Sequence, residues 1–487
     1  MKYSTDSVPV NYRKLNGGLN TTSGPLGLED NESPDLQNID FDKFGSFKQR
    51  NGYTALNTSA ITADKQIDGL FWFETPALRK PISVCDGKVY RMDNLDGTWD
   101  DITGGASITA GKHFDFENFI NYALMTNDWD LPLKWSGAGD VEAMTVPTGL
   151  TRAKFVTKFQ NYAFYANVVV SGVDRPSRFY FSKLRDIDDW TATDFYEVSM
   201  NDGEEITGFK VLGDVLVVYK THSIYIVTFT GNADIPFVIN KTNSNVGCIA
   251  PYSLQEVSNA HVFLAYDGVY LFDGNNSYKL SDRINTTIAT ITNTALPNAV
   301  SMYQKTKNRY WLAVSTSTNN NIVLTWDSFN NAWSKYTGMA PSAMATFMVD
   351  GVEERPYWGD YSGFVYRSDT NNDDYPLNVE TAIDAYYWTN WKNFDDLTDS
   401  KGIPHLYLYH QDSASTLTFG YAYDFRVAAD YTNTFSLNAT GSPDSVIKRQ
   451  DLTGRGRTVR FYFGNNTVDE NFQIDGIGIK ALLETNV

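Results

Sequence analysis

The sequence predicts an all-β protein: a β-propeller of about six to seven blades, with an extended N-terminal arm and a C-terminal antiparallel β-sandwich. Three observations predict it. From about residue 60 onward, apolar-aromatic runs such as "GLFWF", "YAFYANVVV", "SIYIVTF" and "RYWLAV" alternate with clusters of Gly, Asn, Asp and Pro, the texture of short strands joined by tight turns. An aromatic ladder recurs at a spacing of 45 residues over its regular part. Beyond "DTNNDDYPLN" the texture changes to longer, strictly alternating runs.

The arm, residues 1–60, holds the stretch "NGGLNTTSGPLGLEDNESPDLQNIDFDKFGSFKQRNGY" at 16–53. Its Gly-Gly, Gly-Pro, Ser-Pro and Asn-Gly steps break any long helix or strand. Leu36, Ile39, Phe41, Phe44 and Phe47 are nevertheless too apolar for a free tail. The reading is an ordered strap packed along the propeller or a neighbour. It ends in a hairpin over "FDKFGSFKQRNGY", with Gly45 in the turn, that enters the first blade.

The propeller is expected over 61–375. Tyr90 and Tyr270 lie 180 residues apart, and steps of 45 between them land on Trp135, Tyr180 and Tyr225; Leu324 and Tyr366 continue the ladder unevenly. A local pattern recurs in "DGKVYRMD", "DGVYLFDG" and "SGFVYRSD": a tight turn, an apolar-aromatic pair, then Asp93, Asp273 or Asp369 three residues after the Tyr. A unit of about 45 residues is the length of a four-stranded propeller blade. Only "RINTTIATI" carries a helical stripe, and it is short and β-branched.

The sandwich is expected over 376–487. Leu417, Phe419, Tyr421, Tyr423 and Phe425 alternate strictly, which gives one buried aromatic face. The basic run "KRQDLTGRGRTVR" at 448–460 reads as the charged edge of a hairpin, with contact to phosphate or an acidic partner as the alternative.

Chemistry is sparse. There is no H-E-x-x-H, P-loop, G-x-S-x-G or dinucleotide fingerprint. The histidines, His113, His222, His261, His405 and His410, are scattered, and Cys85 and Cys248 read as isolated buried thiols. The adjacent acids Asp188/Asp189, Glu204/Glu205, Asp373/Asp374 and Asp395/Asp396 read as solvated turns. "DTNNDDYPLNVE" places Asp369, Asn371, Asp373, Tyr375 and Glu380 at calcium-loop offsets, but Asp374 stands where the loop needs Gly and Pro376 interrupts it. It reads as an Asx-rich linker. No catalytic, cofactor-binding or metal-ligating residue is assigned, so neither an enzyme nor a cofactor is expected. The formal net charge of −18 disfavours tight generic DNA binding, which needs a basic surface. No apolar run is long enough to span a bilayer, and "MKYSTDSVPVNYRK" lacks the apolar core of a signal peptide, so synthesis and folding in a cytoplasm are expected.

The arm is also where a family resemblance enters. "GGLNTTSGPLGLEDNESPDLQNIDFDKFGSFKQRNGY" resembles the N-terminal signature of tailed-phage tail proteins, although Lys48-Gln49-Arg50 departs from a denser basic pair. "SNVGCIAPYSLQEVSNAHVFLAYDGVYLFDGNNSYKLSDRI", at 244–284, resembles a recurrent blade of the same family. The family is that of short-tailed phage nozzle, or packaged-DNA stabilisation, proteins; similar segments occur in other phage tail proteins. The resemblance implies a structural virion protein, a propeller subunit of a homo-hexameric ring in the viral tail, made in the cytoplasm of the bacterial host. Its implied partners are the adaptor and other portal-side tail proteins, tail fibres, and DNA in transient, non-specific passage during ejection. It carries over no catalytic residue. Two alternatives stand beside it: another tail-tip or receptor-binding virion component, and a carbohydrate-binding or carbohydrate-active propeller. The eleven Trp residues and the many carboxylates motivate the latter.

Overall fold

The computed structural model describes residues 7–349, 353–437 and 446–483. Among these residues, seven four-stranded antiparallel sheets follow one another along the chain. Six are continuous in sequence, at 67–101, 115–143, 150–197, 206–241, 255–279 and 300–336. The seventh takes three strands from 343–368 and its outer strand, Tyr53–Ala55, from the arm, in the register Tyr366↔Ala55 and Ser368↔Tyr53. The fold is therefore a seven-bladed β-propeller whose ring is closed by non-consecutive pairing.

The aromatic ladder is the mark of this repeat. Tyr90, Trp135, Tyr180, Tyr225, Tyr270, Leu324 and Tyr366 each fall on the third strand of successive blades. All but the half-buried Tyr270 are buried, in the apolar layers between blades. The recurrent tight turn joins the second and third strands; in the first blade Asp86 and Gly87 both take positive φ, as a two-residue hairpin turn requires. The helical stripe at "RINTTIATI" forms one turn, Asn285–Ile288.

Two further sheets lie at the C-terminus, and both borrow from the arm. The larger runs Val446–Asp451, Lys401–His410, Gln473–Leu483, Phe47–Gln49, Ile39–Phe41 in spatial order. Ser7–Tyr12 pairs with Gln473–Leu483 on the same side as Phe47–Gln49. The smaller runs Tyr431–Ser436, Thr416–Tyr423, Val459–Asn465, Ala385–Trp388, Leu36–Gln37. Their inner faces form one core: Leu406, Leu408, Ile477 and Ile479 from the first, and Leu417, Phe419, Phe461 and Phe463 from the second. Phe47 stacks across the gap on Tyr387 at 4.2 Å. Phe425 departs from the predicted alternation: the strand ends at Tyr423, Asp424 and Phe425 turn at positive φ, and the Phe425 ring is exposed.

The strap is ordered, and its hairpin forms: Ile39–Phe41 pairs with Phe47–Gln49, and Asp42 Oδ1 accepts the N–H groups of Phe44, Gly45 and Ser46. Its destination differs from the expectation. The hairpin joins the sandwich rather than the first blade, because Phe47 and Lys48 pair with Ile474 and Gln473. The strand that follows it closes the seventh blade instead. Close approach fixes Gly18, at φ +82°, where a Cβ would sit 2.7 Å from the Trp333 amide nitrogen in the sixth blade.

Candidate functional site

Two regions gather charged and polar groups: a clamp where the arm meets the sixth blade and the sandwich, in which they are buried, and the hub of the propeller, in which they are mostly half-buried. In the clamp, Ile39–Phe41 carries Asp40 between two apolar side chains, and both faces of this strand are covered. The Asp40 carboxylate pairs with Arg309 at 2.7 Å and accepts the Tyr336 hydroxyl. Burial alone would raise its pKa, but Arg309, with help from Lys307, Lys48 and Tyr336, lowers it to about 2. Arg50, at the end of the hairpin, forms a bidentate pair with Asp374 at 2.6 and 2.8 Å, and both are buried. Its Nε donates to Asn38 Oδ1 at 2.9 Å, and its guanidinium lies 5.5 Å from the centre of the Tyr336 ring. Asn38, at φ +55°, also accepts the Thr337 N–H and donates to the Asp384 carbonyl, tying propeller, arm and sandwich at one residue.

Further along the arm, buried Glu32 accepts from Asn20 Nδ2 at 2.9 Å and from the Glu29 N–H at 3.0 Å, and pairs with Arg283 at 3.2 Å. The Arg283 carbonyl accepts the N–H groups of Thr21 and Thr22. Arg283 belongs to the second stretch that carries the family resemblance, so the two stretches touch.

The hub cavity, of about 430 Å³, is lined by the innermost strands of all seven blades. Asp115, Lys210, His113 and Glu256 face it beside the stacked rings of Phe71 and Phe116, 5.1 Å apart. Asp115 retains some surface but is enclosed by protein. Burial raises its carboxyl to about 7, assisted by Glu117 and opposed by the Val156 N–H and Lys210. Burial likewise lowers Lys210 and brings His113 down to about 4.

The calcium-loop pattern is not realised as a continuous loop. Asp369 is engaged with Lys307 at 2.6 Å and with Gln304 at 2.8 Å, in the sixth blade. Asp373 and Glu380 converge instead with Asp469, 96 residues further on than Asp373. The reading of Asp373/Asp374 as a solvated turn is overturned, since both are buried, Asp374 by its pairing with Arg50. His405 meets Asp451 at 2.8 Å, whereas His410 is buried and bonds the Gln411 carbonyl. Cys85 and Cys248 are free and buried. The basic run supplies the sheet-edge strand Val446–Asp451, and Arg460 lies 4.1 Å over the Trp388 ring. Sequence reasoning missed Asp40, Arg50, Arg309 and Asp115. The one local signal was Asp40 embedded in "NIDFD", a charge within an apolar strand.

No family model and no curated protein matches this chain. Among solved structures the chain is similar to YCF48 bound to D1 peptide, at 8% identity and a TM-score of 0.43, covering 69% of this chain and 98% of that one. It is also similar to the WD40 β-propeller domain of Doa1, at 9% identity and a TM-score of 0.41, covering 66% and 98%. A third is YCF48 from Cyanidioschyzon merolae, at 9% identity and a TM-score of 0.40, covering 65% and 98%. The propeller assignment rests on the seven sheets of this chain.

Proposed function

We propose that this chain is a structural subunit of a bacteriophage tail, of the nozzle type that its arm resembles. One observation carries the reading. The two stretches bearing the resemblance, 16–53 and 244–284, are folded against each other through the Glu32–Arg283 pair and the bonds from Thr21 and Thr22. A signature whose residues are spent on contacts within the fold is a structural signature, and it asks for no catalytic group.

In this reading about six copies form a ring that joins the portal-side adaptor, and DNA runs through the ring. It does not run through a propeller, since the innermost strands of all seven blades converge on one small hub cavity. A formal charge of −18 on each copy repels phosphate and lets the genome slide, over a range that salt limits to about 8 Å. The test is the mass of the purified full chain, alone and with the adaptor protein of the same particle. A closed ring of defined copy number is expected. A chain that stays monomeric with the adaptor present contradicts the reading.

The hub favours a second reading, a propeller that binds a small polar ligand such as a sugar, because Asp115 stands near its midpoint at neutral pH beside stacked aromatic rings. Binding on a glycan array that is lost in Asp115→Asn would select this reading. An array without signal would leave the structural one.

A further inference from the structure

Asp373 follows the last strand of the seventh blade, and Glu380 follows the short turn Pro376–Asn378. Asp469 stands at φ +62° between the sandwich strands Val459–Asn465 and Gln473–Leu483. One carboxylate oxygen from each lies within 4.8 Å of the others. Asp373 is 1% exposed; its Oδ2 accepts the Asp469 N–H at 2.7 Å, while its Oδ1 is buried with no hydrogen-bond partner among the described residues. A buried carboxylate oxygen left unbonded in a native fold calls for an explanation.

Among the described residues none of the three forms an ion pair with Lys or Arg; the nearby Arg50 is committed to Asp374. Glu380 instead accepts the Tyr375 hydroxyl at 2.5 Å. Three carboxylates this close repel one another, and a bound cation would relieve that repulsion. The donor set is all oxygen, which suits a hard ion rather than zinc. Calcium binds oxygen at about 2.4 Å, so two ligands on opposite sides of it stand about 4.8 Å apart, and this cluster is no wider. Glu380 and Asp469 are exposed, which leaves water free to complete the coordination.

We propose that Asp373, Glu380 and Asp469 bind a divalent cation of calcium size, which ties the segment leaving the propeller to the sandwich. The ligands come from segments remote in sequence, which distinguishes the site from the continuous loop pattern at 369–380.

The experiment uses the full chain freed of metal, with terbium as the luminescent probe and calcium as competitor. Tyr375, bonded to Glu380, is placed to sensitise terbium emission. Tyrosine-excited emission that calcium displaces is expected, together with a rise in Tm of about 2–5 °C on adding calcium. Asp469→Asn and Glu380→Gln change exposed side chains; each should weaken terbium binding by about tenfold or more and abolish the calcium-dependent rise. Asp395→Asn, an exposed acid elsewhere, should keep both. The proposal is overturned if calcium leaves the Tm of the natural chain unchanged, or shifts the Asp469→Asn variant equally. It is also overturned if Asp469→Asn raises Tm to the same extent with and without calcium, since the acids would then only repel one another.

Discussion

The clamp and the hub both enclose charged groups, fully in the clamp and with some surface left in the hub, and treat them in opposite ways. In the clamp each charge meets a counter-charge: Asp40 meets Arg309, Arg50 meets Asp374, and Glu32 meets Arg283. Asp40 therefore stays ionised down to about pH 2. In the hub the groups are enclosed without close pairing, and burial drives Asp115, His113 and Lys210 toward their neutral forms. A close counter-charge keeps a group ionised even at full burial, and without one burial favours the neutral form. A paired buried charge fixes how segments dock, because any other register leaves it alone in a low dielectric. An unpaired one is a group whose proton can move near neutral pH.

The largest way to break the contrast is Arg50→Met. It leaves Asp374 buried without its partner and should cost about 3–5 kcal/mol in urea unfolding. Adding Asp374→Asn should recover part of this. A double variant as unstable as the sum of the single ones would show that the pair is not coupled.

The next effect is acid sensitivity. The Asp40 pKa falls from 3.8 unfolded to about 2 folded. Its contribution, about 2 kcal/mol, is present above about pH 4 and lost as pH falls toward 2. Stability curves of the natural chain and Asp40→Asn should therefore differ near pH 7 and converge near pH 2; curves that stay parallel would show that Asp40 does not titrate as described.

The hub should respond with the opposite sign and more weakly, since its cavity can admit water. The Asp115 carboxyl sits at 3.8 unfolded and about 7 folded. Between these values the native state holds a proton that the unfolded state has released, so stability declines as pH rises through the window. Asp115→Asn should then stabilise by about 1 kcal/mol near pH 8 and change little near pH 4. Destabilisation confined to high pH would show that the ionised carboxylate is needed.

Much of the propeller was legible because a blade is a local object. Its turn, its aromatic rung and its spacing lie within one stretch of chain, which is why all seven rungs fall on third strands. The turn of the arm hairpin was legible for the same reason, through Gly45. Its destination was not: Phe47 pairs with Ile474, and no local periodicity records a partner that remote. The burial of Asp374 was hidden likewise, since its partner Arg50 lies 324 residues away. The calcium-loop reading counted ligands along the chain, whereas the acids that converge include Asp469 from another sheet connection. Polar sites in this molecule are made by the closing contacts of the arm and the sandwich, and local patterns record only what is closed locally.

The central proposal is that this chain is a structural tail subunit. Electron microscopy of the assembled phage particle tests it most directly, because it gives symmetry and position together. A closed ring of this chain in the tail, with 16–53 seated against the sixth blade and DNA running through the centre of the ring, is the predicted result. Particles that lack the chain, or that carry it as isolated copies away from the tail channel, would contradict it.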